Sequence, residues 1–268
     1  MRHELTHERE NLDHMHELLM LRGGDMHGGN IRDGDFYLVW VDSEVVLKPY
    51  YETESGKLYC GDCLEILPQL EKVDLVLTDP PYGIDEAAGK NKSRSCLATS
   101  INYGNLSWDK STPPQDVFSK IKGISKHQII FGGNYFVDFL DNSPCWLVWH
   151  KDNGANDFAD CELAWTNFKT AVRYFKYRWH GMLHENAGKD KEKRYHPTQK
   201  PIGLFVQILL KYSKRGQHIL DPFAGSGTTA LACERLGGLC WTLIEREEKY
   251  CEIAAKRIEA ETRQLKLF

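Results

Sequence analysis

Within four residues, Asp79-Pro80-Pro81-Tyr82 brings together a carboxylate, two locked backbone units and a flat aromatic ring. Proline fixes its own φ and carries no amide hydrogen, so the backbone carbonyls here face set directions with few competing donors. Asp79 adds a second acceptor and Tyr82 a stacking surface. Two acceptors beside an aromatic face suit a planar ring with an exocyclic NH2, which describes a nucleobase. The alternative is an ordinary turn, since Asp-Pro and Pro-Pro are common turn dipeptides.

A second group of residues, Ile219 to Thr229, contains Asp221-Pro222-Phe223-Ala224-Gly225-Ser226-Gly227-Thr228-Thr229. It reads as a strand, a glycine turn and a helix starting near Ser226 and stopped by Gly237-Gly238. Residues 239–244 then form a strand closed by Glu245. An acid at the tip of the second strand of such a βαβ unit can accept hydrogen bonds from ribose hydroxyls. Position 230 is Ala and no P-loop lysine is present, so the turn suits a nucleoside without a diphosphate.

The third group is Tyr195-His196-Pro197-Thr198-Gln199-Lys200-Pro201, directly before an amphipathic run over Ile202 to Tyr212. Thr198 can cap that helix, Pro201 fits its first turn, and Lys200 adds a cation. A ligand carboxylate there would meet an ammonium and helix N-terminal amides. A helix cap with no ligand is the competing reading.

In this order, the three groups resemble the motifs of DNA amino-methyltransferases of the permuted β group, whose Asp-Pro-Pro-Tyr precedes a Phe-x-Gly-Ser-Gly cofactor motif. The resemblance covers roughly residues 56 to 262. It implies an α/β fold with a Rossmann-like class I methyltransferase sheet in circularly permuted motif order. It also implies S-adenosyl-L-methionine as cofactor, double-stranded DNA as partner, and methylation of adenine N6 after base flipping. In that resemblance Asp79 and the Pro80 carbonyl accept the amino hydrogens, Pro81 stiffens the turn, and Tyr82 stacks on the base. Asp62, Thr198, Lys200, Asp221, Phe223, Gly225, Ser226, Gly227, Thr228 and Glu245 hold the cofactor, with Lys200 at its methionine end and Asp62 at its adenine. No metal is needed. The Asp form of the motif, followed by Gly83, resembles the adenine enzymes; cytosine-N4 relatives more often carry Ser at the position of Asp79. Cytosine-N4 methylation, a silent DNA-binding protein on the same scaffold, and methylation of RNA or protein are the alternatives. A homodimer and a cognate restriction endonuclease are further partners that the resemblance leaves open.

The elements that must position these groups follow from pattern. Residues 73–78 are apolar and β-branched enough for a buried parallel strand. Residues 56–62 should be a strand and turn, 64–70 and 114–125 helices, 127–131 and 145–149 strands, and 247–263 a closing helix, with 161–166 leading into the target-recognition region. The expected domains are an acidic extension over 1–55 with a β-like run at 36–41, and a methyltransferase domain over 56–268. Residues 84–112 read as a loop over the site, and 166–195 as a target-recognition region.

The 268 residues, 41% hydrophobic, can bury one substantial core. No run approaches a membrane span and the first residues lack an apolar leader, so a cytoplasmic protein without a membrane partner is expected. Cys60, Cys63, Cys233, Cys240 and Cys251 fall on or beside expected elements, where reduced buried thiols are usual. The net charge of −4 is unevenly spread. Residues 1–55 hold five Lys/Arg against twelve Asp/Glu, whereas 166–200 hold nine against three. Lys169, Arg173, Lys176 and Arg178 alternate there with aromatics and are the candidate DNA contacts; a solvated edge strand is the plainer reading. His3-Glu4-Leu5-Thr6-His7 matches a zinc-peptidase pattern but lacks any apolar stripe to bury it.

Overall fold

The structure is a computed structural model and describes residues 18–22, 36–40, 47–84, 111–153, 159–180, 183–184, 192–195 and 198–265. The chain forms two compact units, residues 1–47 and 48–268. In the first, β1 (Leu18–Arg22) pairs antiparallel with β2 (Phe36–Trp40). In the second, β3 (Tyr51–Glu52) pairs antiparallel with β4 (Gly56–Cys60) at the edge of the main sheet. The zinc-peptidase pattern, His196, residues 85–110 and residues 185–191 lie outside the described residues.

After β4 come α1 (Cys63–Ile66), β5 (Val73–Thr78), α2 (Gln115–Ile124), β6 (Ser125–Phe131), β7 (Trp146–His150), β8 (Cys161–Thr166) and β9 (Arg173–Lys176). A short antiparallel pair, β10 (Trp179–His180) and β11 (Leu183–His184), precedes α3 (Ile202–Tyr212), β12 (His218–Asp221), α4 (Thr228–Leu236), β13 (Cys240–Glu245) and α5 (Glu248–Leu265). The nine-stranded sheet runs β3-β4-β13-β12-β5-β6-β8-β7-β9. Its five strands from β4 to β6 are parallel; β8 runs against both of its neighbours.

Both faces of the parallel strands are covered, so they read as nearly unbroken apolar runs. Leu75, Leu77, Ile129, Phe131, Ile219, Trp241 and Leu243 share one cluster with Phe205 and Ile208 of α3, Leu231 of α4 and Ile258 of α5. The intervening Val76, Ile130, Leu220 and Ile244 are also buried and, by strand alternation, face the other side. There α1 packs with α2, and α2 with β6.

Differences from expectation have local causes. The expected 64–70 helix stops at Ile66 and tightens into a 3-10 turn over Leu67–Gln69, because Pro68 has no amide to continue the α-helical ladder. The glycine turn takes two more residues than expected, so α4 starts at Thr228. Cys60 and Cys240 are exposed, not buried; Cys63, Cys233 and Cys251 are buried, and all are free thiols.

Strands β5 and β12 lie side by side although Thr78 and Asp221 are far apart in sequence. From β5 the chain moves outward to β6, and from β12 it moves the other way to β13. Their carboxyl ends therefore flank a topological switch point, where open α/β sheets bind ligands.

The far half of the sheet is held by Glu234 of α4, which accepts the indole N–H of the fully buried Trp241 at 2.8 Å and the hydroxyls of Thr53 at 3.3 Å and Ser55 at 3.4 Å. Trp241→Phe removes the strongest donor and leaves the carboxylate underpaired. The expected loss is about 1–3 kcal/mol, read as a lower urea midpoint with an unchanged slope.

Candidate active site

The seam between β5 and β12 is closed by a buried carboxylate. Thr78 donates to Asp221 Oδ1 at 2.7 Å, Thr229 to Oδ2 at 2.5 Å, and the Phe223 amide to Oδ1 at 3.1 Å. Burial pushes the Asp221 carboxyl up to about 6 despite these three donors. Asp221 thus supports the turn from below. The structure places it under the glycine turn and joins that turn to the strand that delivers Asp79.

Gly225 and Gly227 sit at φ 51° and 82°, in the left-handed region, which lets the chain reverse and enter α4. A Cβ on Gly227 would also stand 3.0 Å from Ala254 Cβ of α5. Glu245 pins this turn, accepting the Gly225 amide at 2.8 Å on Oε2 and the Glu247 amide at 2.8 Å on Oε1. Burial raises its carboxyl to about 7, the two amides offsetting only part of the effect. Asp62 lies beyond β4, whose Cys60 pairs with Glu245, and its Oδ1 caps α1 through Leu64. The ends of β4 and β13 therefore present Asp62 and Glu245, over the buried Asp221, beside the partly exposed Phe223 and a turn whose Gly225 and Gly227 carry no side chain. Such a set accepts from hydroxyls and amines, and repels a diphosphate.

On the β5 side, the Tyr82 hydroxyl donates to Asp79 Oδ1 at 2.6 Å. Lys200 donates to Asp79 Oδ2 at 2.5 Å and to the Tyr82 oxygen at 3.2 Å. The same ammonium lies 3.1 Å from Glu162 Oε2, and Lys151 lies 2.6 Å from Glu162 Oε1. Burial raises Asp79 above the usual carboxylate range; Lys200 pulls it down and Glu162 pushes it up. Burial likewise works against the Lys200 ammonium, but Asp79 and Glu162 more than offset it, and its affinity for the proton rises. Glu162 is half-buried and poorly solvated, yet its two lysines hold it down at about 2. Burial and Asp79 raise the Tyr82 phenol well above its ordinary value. Pro80 is buried and Pro81 half-buried behind this cluster.

The Tyr82 ring stacks on Tyr135 at 4.9 Å and meets Phe136 edge-on at 6.1 Å. Gly132 makes this approach possible: at φ 68°, a Cβ there would stand 2.1 Å from Tyr82 Cε1.

Lys200 was expected at the glycine turn. Its carbonyl is there, accepting the Thr228 hydroxyl at 3.3 Å, while its ammonium turns to Asp79. Ser226 bonds Gln199 at 3.2 Å and Arg257 at 2.7 Å. Thr198 does not cap α3. Its cap residue is Pro201, and Glu192 meets the Ile202 amide at 3.0 Å, so a side-chain carboxylate already fills the place anticipated for a ligand anion. Glu192 also pairs with the buried Arg257 at 3.3 Å.

In the basic segment, β9 is the edge strand of the sheet. Lys169 is exposed and Arg173 half-buried. Lys176 and Arg178 both pair with Asp152, at 3.1 and 2.5 Å, and these bonds hold its carboxyl below the usual range. Sequence reasoning missed Glu162, Lys151, Tyr135, Gly132 and Glu192. Of these only Glu162 carried a signal, as an acid inside an otherwise apolar strand.

Comparison with known proteins fits this geometry. A family described as DNA methylase matches residues 147–256. Type II methyltransferase M2.DpnII of Streptococcus pneumoniae is 28% identical over 265 residues, 81% of this chain and 94% of that protein. Type II methyltransferase M2.MboI of Moraxella bovis is 25% identical over 272 residues, 82% of this chain and 94% of that one. Among solved structures, an M1.HpyAVI–SAM complex aligns with a TM-score of 0.50 at 25% identity, covering 76% of this chain and 98% of that one. PvuII DNA methyltransferase (cytosine-N4-specific) shares the fold, with a TM-score of 0.53 at 18% identity over 81% of this chain and 94% of that one.

The raised Glu245 carboxyl has a stability consequence. Its pKa of about 7 in the fold exceeds the value in the unfolded chain, so its contribution is greatest below about pH 4 and is lost as pH rises towards 7. Relative to Glu245→Gln, the wild-type protein should lose about 1–3 kcal/mol between about pH 5 and 8, measured by urea unfolding at each pH.

Proposed function

We infer that the chain is a member of the DNA methylase family and a site-specific DNA methyltransferase, transferring a methyl group from S-adenosylmethionine to adenine N6 in duplex DNA. The observation that carries this reading is the junction of two motifs at the carboxyl ends of two adjacent central strands, β5 and β12. Asp79 follows Thr78, whose hydroxyl binds Asp221 at 2.7 Å, and Asp221 leads into the glycine turn. The Lys200 segment spans the same gap, with its carbonyl on Thr228 and its ammonium on Asp79.

The residues present fit the cofactor. The Gly225–Gly227 turn and the Asp62, Asp221 and Glu245 acids suit a nucleoside with free hydroxyls and no phosphate. Asp62 and Phe223 would flank its adenine and Glu245 its ribose, with Ser226, Thr228, Thr198 and Lys200 towards its methionine end. When bound, the cofactor supplies an electrophilic methyl group on a sulfonium. The chain supplies orientation and acceptors. An adenine amino nitrogen is a poor nucleophile because its lone pair is delocalised into the ring. Asp79 and the Pro80 carbonyl accept the two amino hydrogens, which localises that pair and aims it in line. Tyr82 supports the extruded ring. In the free protein both Asp79 oxygens and one face of Tyr82 are occupied, by Tyr82, Lys200 and Tyr135. Base entry therefore replaces existing contacts and does not fill an empty slot. The proton leaves after transfer, so Asp79 need not be a strong base.

The Asp at position 79 and Gly83 support adenine over cytosine. Lys169 and Arg173, joined by Lys176 and Arg178 once Asp152 gives them up, are suited to the phosphate backbone. The names of the Type II relatives support a cognate restriction endonuclease as a functional partner.

Incubating the protein with labelled cofactor and unmethylated duplex should yield N6-methyladenine after digestion and chromatography. N4-methylcytosine would correct the base, and an unlabelled duplex of broad sequence coverage would overturn the reading. Asp79→Ala should reduce transfer by roughly a hundredfold or more, while cofactor affinity by calorimetry stays within about threefold.

A further inference from the structure

We propose that Glu162 is a positioning residue for methyl transfer: it gives the Lys200 ammonium a second seat, so that Asp79 can exchange that partner for the amino group of the target base. The proposal rests on the methyltransferase reading and assigns a role in it to a residue outside both motifs.

An ammonium has three hydrogens to place. Lys200 has three acceptors around it: Asp79 Oδ2 at 2.5 Å, Glu162 Oε2 at 3.1 Å and the Tyr82 oxygen at 3.2 Å. Its side chain is only 6% exposed, so water cannot take over if one acceptor is withdrawn. A base that claims Asp79 Oδ2 would strand this charge unless another carboxylate stood within a small movement. Glu162 Oε2 is that acceptor. It is fully buried and makes no well-aligned hydrogen bond, although the ammonium is 3.1 Å away. Its other oxygen is taken by Lys151 at 2.6 Å, which fixes the carboxylate in place. The sheet fixes both groups further: Glu162 on β8 stands opposite Trp149 on β7, and Lys151 follows just beyond β7. A shift of Lys200 away from Asp79 thus completes one hydrogen bond as it releases another.

The arrangement predicts opposite responses from the two outer members. The charged and titratable groups facing Asp79 are Lys200 from the segment before α3, Tyr82 from its own turn, Glu162 from β8 and Asp221 from β12. Those facing Glu162 are Lys200 and Lys151, with its charge also felt at Asp79 and Tyr82. Glu162→Gln removes an anion and leaves Lys200 to Asp79 alone; the Asp79 pKa falls and its partner is harder to displace. Lys151→Met leaves Glu162 to draw Lys200 more strongly, and the Asp79 pKa rises.

The test is steady-state methylation of unmethylated duplex across about pH 5.5 to 9, with cofactor affinity measured in parallel. Glu162→Gln should lower kcat by roughly tenfold to a hundredfold with cofactor affinity within about threefold, and shift the acid limb to lower pH. Glu162→Asp should restore part of the loss. Lys151→Met should shift the acid limb to higher pH, and it decides the matter alone if Glu162→Gln does not fold. A Glu162→Gln kcat within about twofold of wild type, or acid limbs that stay put or move the same way in both variants, overturns the proposal. A wild-type protein that methylates no duplex would instead overturn the functional reading. The Asp79 pKa, followed by carbon-13 NMR in the free protein, must then still fall in Glu162→Gln and rise in Lys151→Met, or the second seat is refuted as well.

Discussion

The Asp221 carboxylate is buried where two strands from distant parts of the chain lie side by side, and the rest of the site is arranged around it. Burying a carboxyl group is costly unless donors replace water. Thr78 of β5, Thr229 of α4 and the Phe223 amide supply them, and the carboxyl is still pushed up to about 6. The bonds therefore act as a fixed seam. Thr78 is followed at once by Asp79, and Asp221 by the turn through Gly225 and Gly227. A displacement at the seam would shift Asp79 relative to the glycine turn, and the proposed group transfer would tolerate little misplacement.

A second constraint is charge balance. Asp79 and Glu162 carry two negative charges into a poorly solvated region, and Lys151 and Lys200 match them. Breaking a buried pair by removing one member typically costs about 3–5 kcal/mol, so the four are held together as a unit. What makes the unit useful is its asymmetry. Glu162 is held at about 2 by two lysines, whereas Asp79 remains raised by burial. Asp79 is thus the one of the two whose proton affinity stays above that of an ordinary carboxylate. Tyr82 shows the same economy of contact, with Tyr135 stacked against it through a gap that only Gly132 leaves open.

Much of the scaffold is legible in the sequence because local pattern and fold agree. Ile202 to Tyr212 has helical apolar spacing and forms α3 over those residues; the strand expected at 127–131 lies within β6. The two chemical motifs are legible because each is local: Asp79 to Tyr82 and Asp221 to Thr229 carry their geometry in prolines and glycines. What was not legible depends on residues brought together from afar. The bond from Lys200 to Asp79 joins positions 121 apart, and nothing local to either residue announced it. The α3 amide is met by Glu192, ten residues earlier, and not by the nearby Thr198. The two-residue β3 is too short to show a period, so nothing in the pattern announced it. Fold alone cannot assign the base, since a cytosine-N4 enzyme shares it; that choice rests on the residue at position 79.

The most direct test of the central claim is a crystal structure of the protein with S-adenosylmethionine and a target duplex carrying an unreactive base analogue. If one seam positions both halves of the reaction, the sulfonium methyl will face the amino position of an extruded base held by Asp79 and Pro80, with the Asp221–Thr78 bond intact. A cofactor whose methyl points away from Asp79, or a base held elsewhere than against Tyr82, would contradict it.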